Sequence, residues 1–344
     1  MSKPKKSSDA RIFHTAEPQV GQTLAAALRQ WLPENSWSEN RRLVRTRHVQ
    51  INGNLCVDEA RRLKLTEVVK VHLHSLTPPP KLDDVKVVYV DEHVIVVDKP
   101  SGVTSVRHAQ EQKWPARRKQ FQPTLDEMLP ALINMMAPKG PQPTMAKRTF
   151  RGREPVRVVE PPRIFPVHRL DRDTSGLMVF ARSQFAEQNL IEQFKAHTIE
   201  RAYQAVACGD VQAQKIDSII VRDRGDGIRG SAEDDDSGQQ AITHVRPLQK
   251  LGTYSLVECR LETGRTHQIR IHLSELGHVI CGEKVYTKSP KSAVVDASGS
   301  PRLALHAFKL AFVHPTTNRK LSFTSELPRD LDLLVKRLVT AETT

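Results

Sequence analysis

The stretch Phe165–Ser183, FPVHRLDRDTSGLMVFARS, changes character half-way along. Its first part packs His168, Arg169, Asp171, Arg172, Asp173, Thr174 and Ser175 into eight residues. Its second part, LMVFA, is apolar without a break, and such a short bounded run reads as a buried strand. Asp171 therefore sits just before a strand begins. The following SQFAEQNLIEQFKAHTI reads as a helix capped by Ser183, with Ala186, Leu190, Ile191 and Phe194 turned inward.

Working outward, VKVVYVDEHVIVVDKPSG reads as two strands around a turn at Asp91-Glu92, closed by a tight turn at Lys99–Gly102. RAYQAVACGDV reads as a strand ending at Gly209, and AITHVRPLQKLGTYSLVECRLETG as two strands and a turn. RTHQIRIHLSELGH gives a helix with Ile269, Leu273 and Leu276 on one face, stopped by Gly277. The C-terminal segment reads as a strand hairpin followed by an amphipathic helix. Many strands with few intervening helices predict an α+β fold with a mixed, mostly antiparallel sheet, not a doubly wound one.

The chain has 344 residues, enough for two or three domains, and a formal net charge of +13. A basic excess of that size points to a polyanionic partner, RNA or DNA. The four cysteines, Cys56, Cys208, Cys259 and Cys281, are far apart with no CxxC pair, which argues against a zinc ribbon or a disulfide framework and for a cytoplasmic protein. The first residues are basic without the apolar run of a signal peptide, and no stretch approaches the ~18 apolar residues of a membrane span. The boundaries read as a flexible tail over 1–10, a small α/β domain over 11–76, a proline-rich linker over 77–84 and a larger domain over 85–344. That larger domain contains a basic insertion at about 107–163, where twelve Lys or Arg face five Asp or Glu. Within the insertion, TLDEMLPALINMM reads as a helix, and the rest as loops or a basic spacer.

In the small domain, Leu24, Leu28 and Trp31 recur at helical spacing behind Thr23. Ser38 is expected to cap a second helix, followed by a short strand at Val49 and Ile51 and a turn at Asn52-Gly53. Arg41, Arg42, Arg45 and Arg47 crowd that helix and its exit. They read either as a solvated face or, in so basic a chain, as phosphate contacts.

Three constellations can carry chemistry. Asp171 lies between Arg169 and Arg172, which favours its ionised form as nucleophile, base or salt-bridge partner. Asp173, in front of Thr174-Ser175-Gly176, reads as a turn former. The cationic neighbours disfavour a metal, and a single Asp-Thr-Ser-Gly cannot supply the two copies an aspartic protease needs. In LETGRTHQIRIHLSELGH, Arg265 stands at a strand-to-helix corner able to hold a guanidinium against a carboxylate. His267 and His272 there miss the i, i+4 spacing of helical zinc ligands. Tyr203 reads either as a core residue or as a stacking platform for a base.

These motifs, from VVYVDEHVIVVDKPSG through HRLDRDTSG, RAYQAVACGDV and LETGRTHQIRIHLSELGH to LALHAFKLAFVHP, occur in the order found in RluA-type pseudouridine synthases, and the chain resembles that family over roughly 85–335. Residues 15–75 resemble the small RNA-binding domain of ribosomal protein S-four type, through W-S-x-x-R and V-x-I-N-G. Arg47 stands there in place of a usual glycine, and Thr66-Glu67 in place of Gly-Asp.

The resemblance implies an RNA-modifying isomerase acting on rRNA or tRNA, with no cofactor and no metal. It implies Asp171 as the aspartate required for catalysis. Arg169 matches the arginine that enters the RNA helix where the target base has left. Tyr203 matches the tyrosine that lies against the uracil and is proposed to help proton transfer, Arg265 the basic partner of the aspartate, and Ile269 the apolar floor. The resemblance carries Glu283 where aspartate is usual and Val279 where proline is usual. The expected partners are RNA and no membrane, with the protein acting as a monomer. Charge alone would equally fit a catalytically silent RNA-binding or assembly protein; the Asp171, Tyr203 and Arg265 set distinguishes the two.

Overall fold

Strand Ser175–Ala181 is buried at every position, because its side chains serve two cores. Met178 and Phe180 point into one, Leu177, Val179 and Ala181 into the other. That two-sided burial is why its sequence is continuously apolar rather than alternating. The computed structural model describes residues 10–51, 54–73, 75–76, 81–107, 111–114, 119, 122–136, 162–224, 228–232, 238–287 and 295–340. The expected tail at 1–10 (apart from Ala10), the Asn52-Gly53 turn, most of the insertion and the first half of the linker lie outside them.

The N-terminal part has β1 (Ala10–His14), α1 (Leu24–Trp31), α2 (Trp37–Arg45), β2 (Val49–Ile51), β3 (Asn54–Leu55) and β4 (Val68–His72). Its strands form a four-stranded sheet in the order β1-β4-β2-β3. Leu24, Leu28, Val44, Val49 and Val69 share its core. Thr23 caps α1 by accepting from the Ala26 N–H. The cap of α2 is Ser36, not the expected Ser38: Ser36 accepts from Glu39 N–H, and Glu39 accepts from Ser36 N–H. This reciprocal capping box starts the helix two residues earlier.

The rest of the described chain supplies β5 (Lys86–Val90), β6 (Val94–Lys99), α3 (Leu125–Met136), β7 (Phe165–Pro166), β8 (Ser175–Ala181), α4 (Gln184–Lys195), β9 (Glu200–Cys208), β10 (Gln214–Val221), β11 (Gly230–Ala232), β12 (Gln239–Leu251), β13 (Tyr254–Leu261), α5 (Gln268–Glu275), β14 (Leu305–Val313), β15 (Lys320–Thr324) and α6 (Arg329–Thr340). The sheet runs β11-β10-β12-β13-β9-β14-β8-β6-β5, with β15 on β14 and β7 on β8. Every described pairing is antiparallel except β14 with β8. The fold is thus α+β with a mixed, mostly antiparallel sheet. Strands β10 and β11 were not anticipated, since their residues carry no strong alternation.

Helices α3, α5 and α6 pack Leu125, Leu129, Ile269, Leu273, Leu331 and Leu334 into one core. Helix α4, capped by Ser183, covers the other face with Ala186 and Leu190. Where β8 meets β14, a side chain on Gly176 (φ +117°) would lie 2.3 Å from the Ala307 carbonyl oxygen. Only glycine permits that approach.

Candidate active site

Asp171 stands in the loop between β7 and β8, and that loop is tied down from outside. Leu170 N–H donates to Ser105 Oγ, which donates to the Leu170 carbonyl at 2.7 Å. Gly102 N–H donates to the Arg172 carbonyl at 2.8 Å, and Arg172 Nε returns a bond to the Gly102 carbonyl. Ser101 Oγ donates to the Asp173 carbonyl. Lys99 is fully buried. Its ammonium reaches the carbonyls of Pro100, Val103 and Arg172 at 3.1, 2.9 and 3.0 Å, one for each hydrogen. Burial pushes its pKa down to about 7, with Asp173 and Asp171 opposing. The turn after β6 therefore clamps the backbone on both sides of Asp171. Asp173 sits in a turn of its own within the Asp171 loop, as its sequence suggested, with Thr174 N–H closing onto the Asp171 carbonyl.

Helix α5 supplies what faces the carboxylate. Its start is fixed by Gln268, whose buried amide accepts from Arg265 N–H and Thr263 Oγ1 and donates to Ile242 O and Thr243 Oγ1. Arg270, one turn in, donates to Asp171 Oδ2 at 3.2 Å. The same guanidinium makes a two-pronged bond to Glu283, both arms 2.7 Å, and lies over the Tyr286 ring. The Glu283 side chain is 1% exposed. Burial alone would raise its pKa, but the bonds and charge of Arg270, with the Lys284 and Val285 N–H groups, hold it below the ordinary value. Asp171 thus faces a cation that is itself gripped from behind.

His267, held in the left-handed region at φ 61°, completes this wall. Its Nδ1 lies 2.7 Å from Tyr286 Oη and its Nε2 3.8 Å from Asp171 Oδ2. Burial pushes Tyr286 up to about 12 and lowers His267. A protonated phenol donating to Nδ1 assigns the imidazole hydrogen to Nε2, toward Asp171.

Asp171, His267 and Arg270 border a cavity of about 590 Å³. Asp171, Arg169, Tyr203, Arg265, Ile269 and Arg270 all line it, from three separate parts of the chain. Tyr203, on β9, has its pKa raised, mainly by burial and further by Asp171, with Arg201 opposing. Ile269 is buried. Arg169 is exposed and donates to Thr266 Oγ1.

Two expectations need correction. Arg265 does not pair with Asp171: its Nε donates to the Gln240 carbonyl at 2.9 Å, and Arg270 takes the place foreseen for it. The corner turns Arg265 toward β12, while one helical turn later Arg270 comes under Asp171. The four N-terminal arginines also do not form one free basic face. Arg41 and Arg45 both pair with Glu59 at 2.5 and 2.9 Å, and Arg47 is 2% exposed; Arg42 is the exposed one. Burial, then Arg172, pushes Arg47 down to about 10.

Among the described residues, one group has metal-ligand character: Cys208, Cys281 and Asp296, with ligand atoms within 4.8 Å of one another. None of them lines the cavity, and both Asp296 oxygens accept backbone N–H bonds, from Gly282 and Ser298.

Solved structures share the fold. The chain superposes on human RNA pseudouridylate synthase domain containing 4 with a TM-score of 0.53 at 22% identity, covering 74% of this chain and 93% of that one. The related human domain-containing protein 1 gives 0.50 at 22%, covering 76% and 97%. This likeness is one of fold. The family model for RNA pseudouridylate synthase matches residues 93–275. Ribosomal large subunit pseudouridine synthase D of Zymomonas mobilis is 34% identical over 83% of this chain and 84% of its own. The protein of that name from Xanthomonas campestris is 32% identical over 93% and 89%, and an uncharacterized RNA pseudouridine synthase of Synechocystis 31% over 94% and 92%. The chain belongs to the RNA pseudouridylate synthase family and is an isomerase acting on RNA.

Proposed function

We propose that this pseudouridine synthase isomerises a uridine of large-subunit ribosomal RNA, with Asp171 as its essential carboxylate. One observation carries the reading: Asp171 faces Arg270 at 3.2 Å in a cavity that Tyr203 and Ile269 also line. The names of the relatives from Zymomonas and Xanthomonas support ribosomal RNA as the target.

The reaction breaks the bond from C1′ to N1, turns the base and forms a bond from C1′ to C5. The C5 proton passes to solvent and N1 takes one up from it, so the isomerisation leaves the atom count unchanged. The base must first leave its stack, at a cost of a few kcal/mol that is least in loops. Arg169, exposed at the cavity mouth, is suited to fill the gap left behind. Arg270 holds Oδ2 of Asp171, so Oδ1 is the atom left to react. An ionised carboxylate there serves either route: attack on C1′, or removal of the C2′ proton to give a glycal. Tyr203, kept neutral by burial, presents its ring to the base rather than acting as a phenolate. The site is built within one chain, which supports action as a monomer; the cytoplasm is the compartment where such RNA is met. Among the described residues no helix is long and apolar enough to cross a membrane.

Carbodiimide labelling of RNA from cells lacking the protein tests this. At least one pseudouridine should disappear and return with the wild-type gene but not with Asp171→Asn. Persistence of every site, or rescue by Asp171→Asn, would refute the assignment.

A further inference from the structure

The cavity's two walls differ in charge balance. On one, Arg270 is matched by Asp171 and Glu283. On the other stand Arg201 and Arg265, and among the described residues neither bonds a carboxylate. Arg201 is two residues before Tyr203 on β9, so both side chains leave the same face of the strand. Its guanidinium lies 5.4 Å over the Phe194 ring and donates through one terminal nitrogen to the Glu262 carbonyl at 3.2 Å. Its Nε is buried with no partner. Gly264 makes room for it: a Cβ there would meet the other terminal nitrogen at 2.5 Å. Arg265 is the next residue, and its Nε is committed to the Gln240 carbonyl.

Two cations share one wall with only neutral carbonyls as partners. Burial lowers the Arg201 pKa, and the Arg265 charge lowers it further. Like charges placed this way repel until an anion enters between them. Planar forks fit the oxygens of a phosphodiester, which every RNA nucleotide brings with it.

We propose that Arg201 and Arg265 form a phosphate subsite that grips a phosphodiester flanking the target uridine. This rests on the reading that the cavity receives that uridine. The subsite would hold the nucleotide by its backbone while the base is detached and turned over, so that the ribose stays against Asp171.

The test uses the full chain and a large-subunit ribosomal RNA transcript carrying 5-tritiated uridine. Release of tritium reports turnover, and filter binding reports Kd. Arg201→Met and Arg265→Gln should each weaken Kd by about tenfold. Together they should weaken it by clearly less than the product of the two, because both grip one group. Arg201→Lys should recover part of the loss. Gly264→Ala, which pushes the Arg201 head aside, should act like Arg201→Met and serves if that variant does not fold. An unchanged Kd in these variants, or losses that multiply in full, would overturn the subsite. Failure of the underlying reading looks different: the wild-type enzyme would release no tritium, whatever the Kd values.

Discussion

The pairing of Asp171 with Arg270 depends on a residue that touches neither substrate nor aspartate. Glu283 takes two of the guanidinium's arms and leaves the third for Asp171. Glu283→Gln removes the charge that holds Arg270 and leaves a buried cation half-matched. We expect about 3 kcal/mol of lost stability and a kcat at least tenfold lower. Glu283→Asp should keep the fold but shorten the reach to Arg270, lowering kcat with KM little changed. Urea melts and tritium-release kinetics on the two variants check this; wild-type kcat in both would remove Glu283 from the site's support. At this scale the sequence was only partly legible. Asp171, Tyr203 and Ile269 stand in motifs whose order is itself a signal. The choice between Arg265 and Arg270 was not readable, because RTHQIR spans a corner and its spacing does not say which arginine turns toward β8. Glu283, which settles the matter, lies in a loop without periodicity.

At the scale of the element, backbone geometry survives where residue types do not. Arg47 and Thr66, at φ 71° and 64°, occupy the left-handed region at positions where the resemblance leads one to expect glycine. A β-branched residue there costs about 1–3 kcal/mol. Thr66 is exposed, so Thr66→Gly should raise stability by about 1 kcal/mol, read as a higher urea midpoint. A second expectation concerns two histidines that tie elements together as neutral acceptors or donors. His168 Nε2 accepts from Val179 N–H, binding the Asp171 loop to β8, and burial pushes its pKa down to about 3. His272 bridges Ser218 and Thr243, and burial pushes it down to about 4. Both values lie below those of the unfolded chain. Their contribution is therefore complete above about pH 6.5 and is lost as pH falls toward the folded values. Each should cost about 1.4 kcal/mol per pH unit in that window. A urea midpoint that stays flat from pH 7 to pH 5 would contradict this.

For the whole molecule, charge and topology matter most. With a net charge of +13, RNA binding should weaken steeply with salt. Neutralising Arg117, Arg118, Lys119, Lys147 and Arg148 should weaken binding and flatten that dependence; an unchanged slope would make the insertion a spacer. All of these but Lys119 lie outside the described residues, so the expectation rests on charge alone. The fold class was legible because continuous and alternating apolar runs mark β6, β8, β9 and β13. The strand order was not, since nothing in LALHAFKLAFV says that β14 lies between β8 and β9. That placement has a consequence for biosynthesis. The carboxylate wall belongs to the β8 side of the sheet and the tyrosine wall to the β9 side, and the strand joining them follows both in the chain. A nascent chain that has not yet released Leu305–Val313 has both halves of the cavity but lacks the strand that pairs with each of them. The cavity is therefore expected to assemble only once β14 is in place, and a chain truncated before that strand should release no tritium from 5-tritiated uridine in RNA.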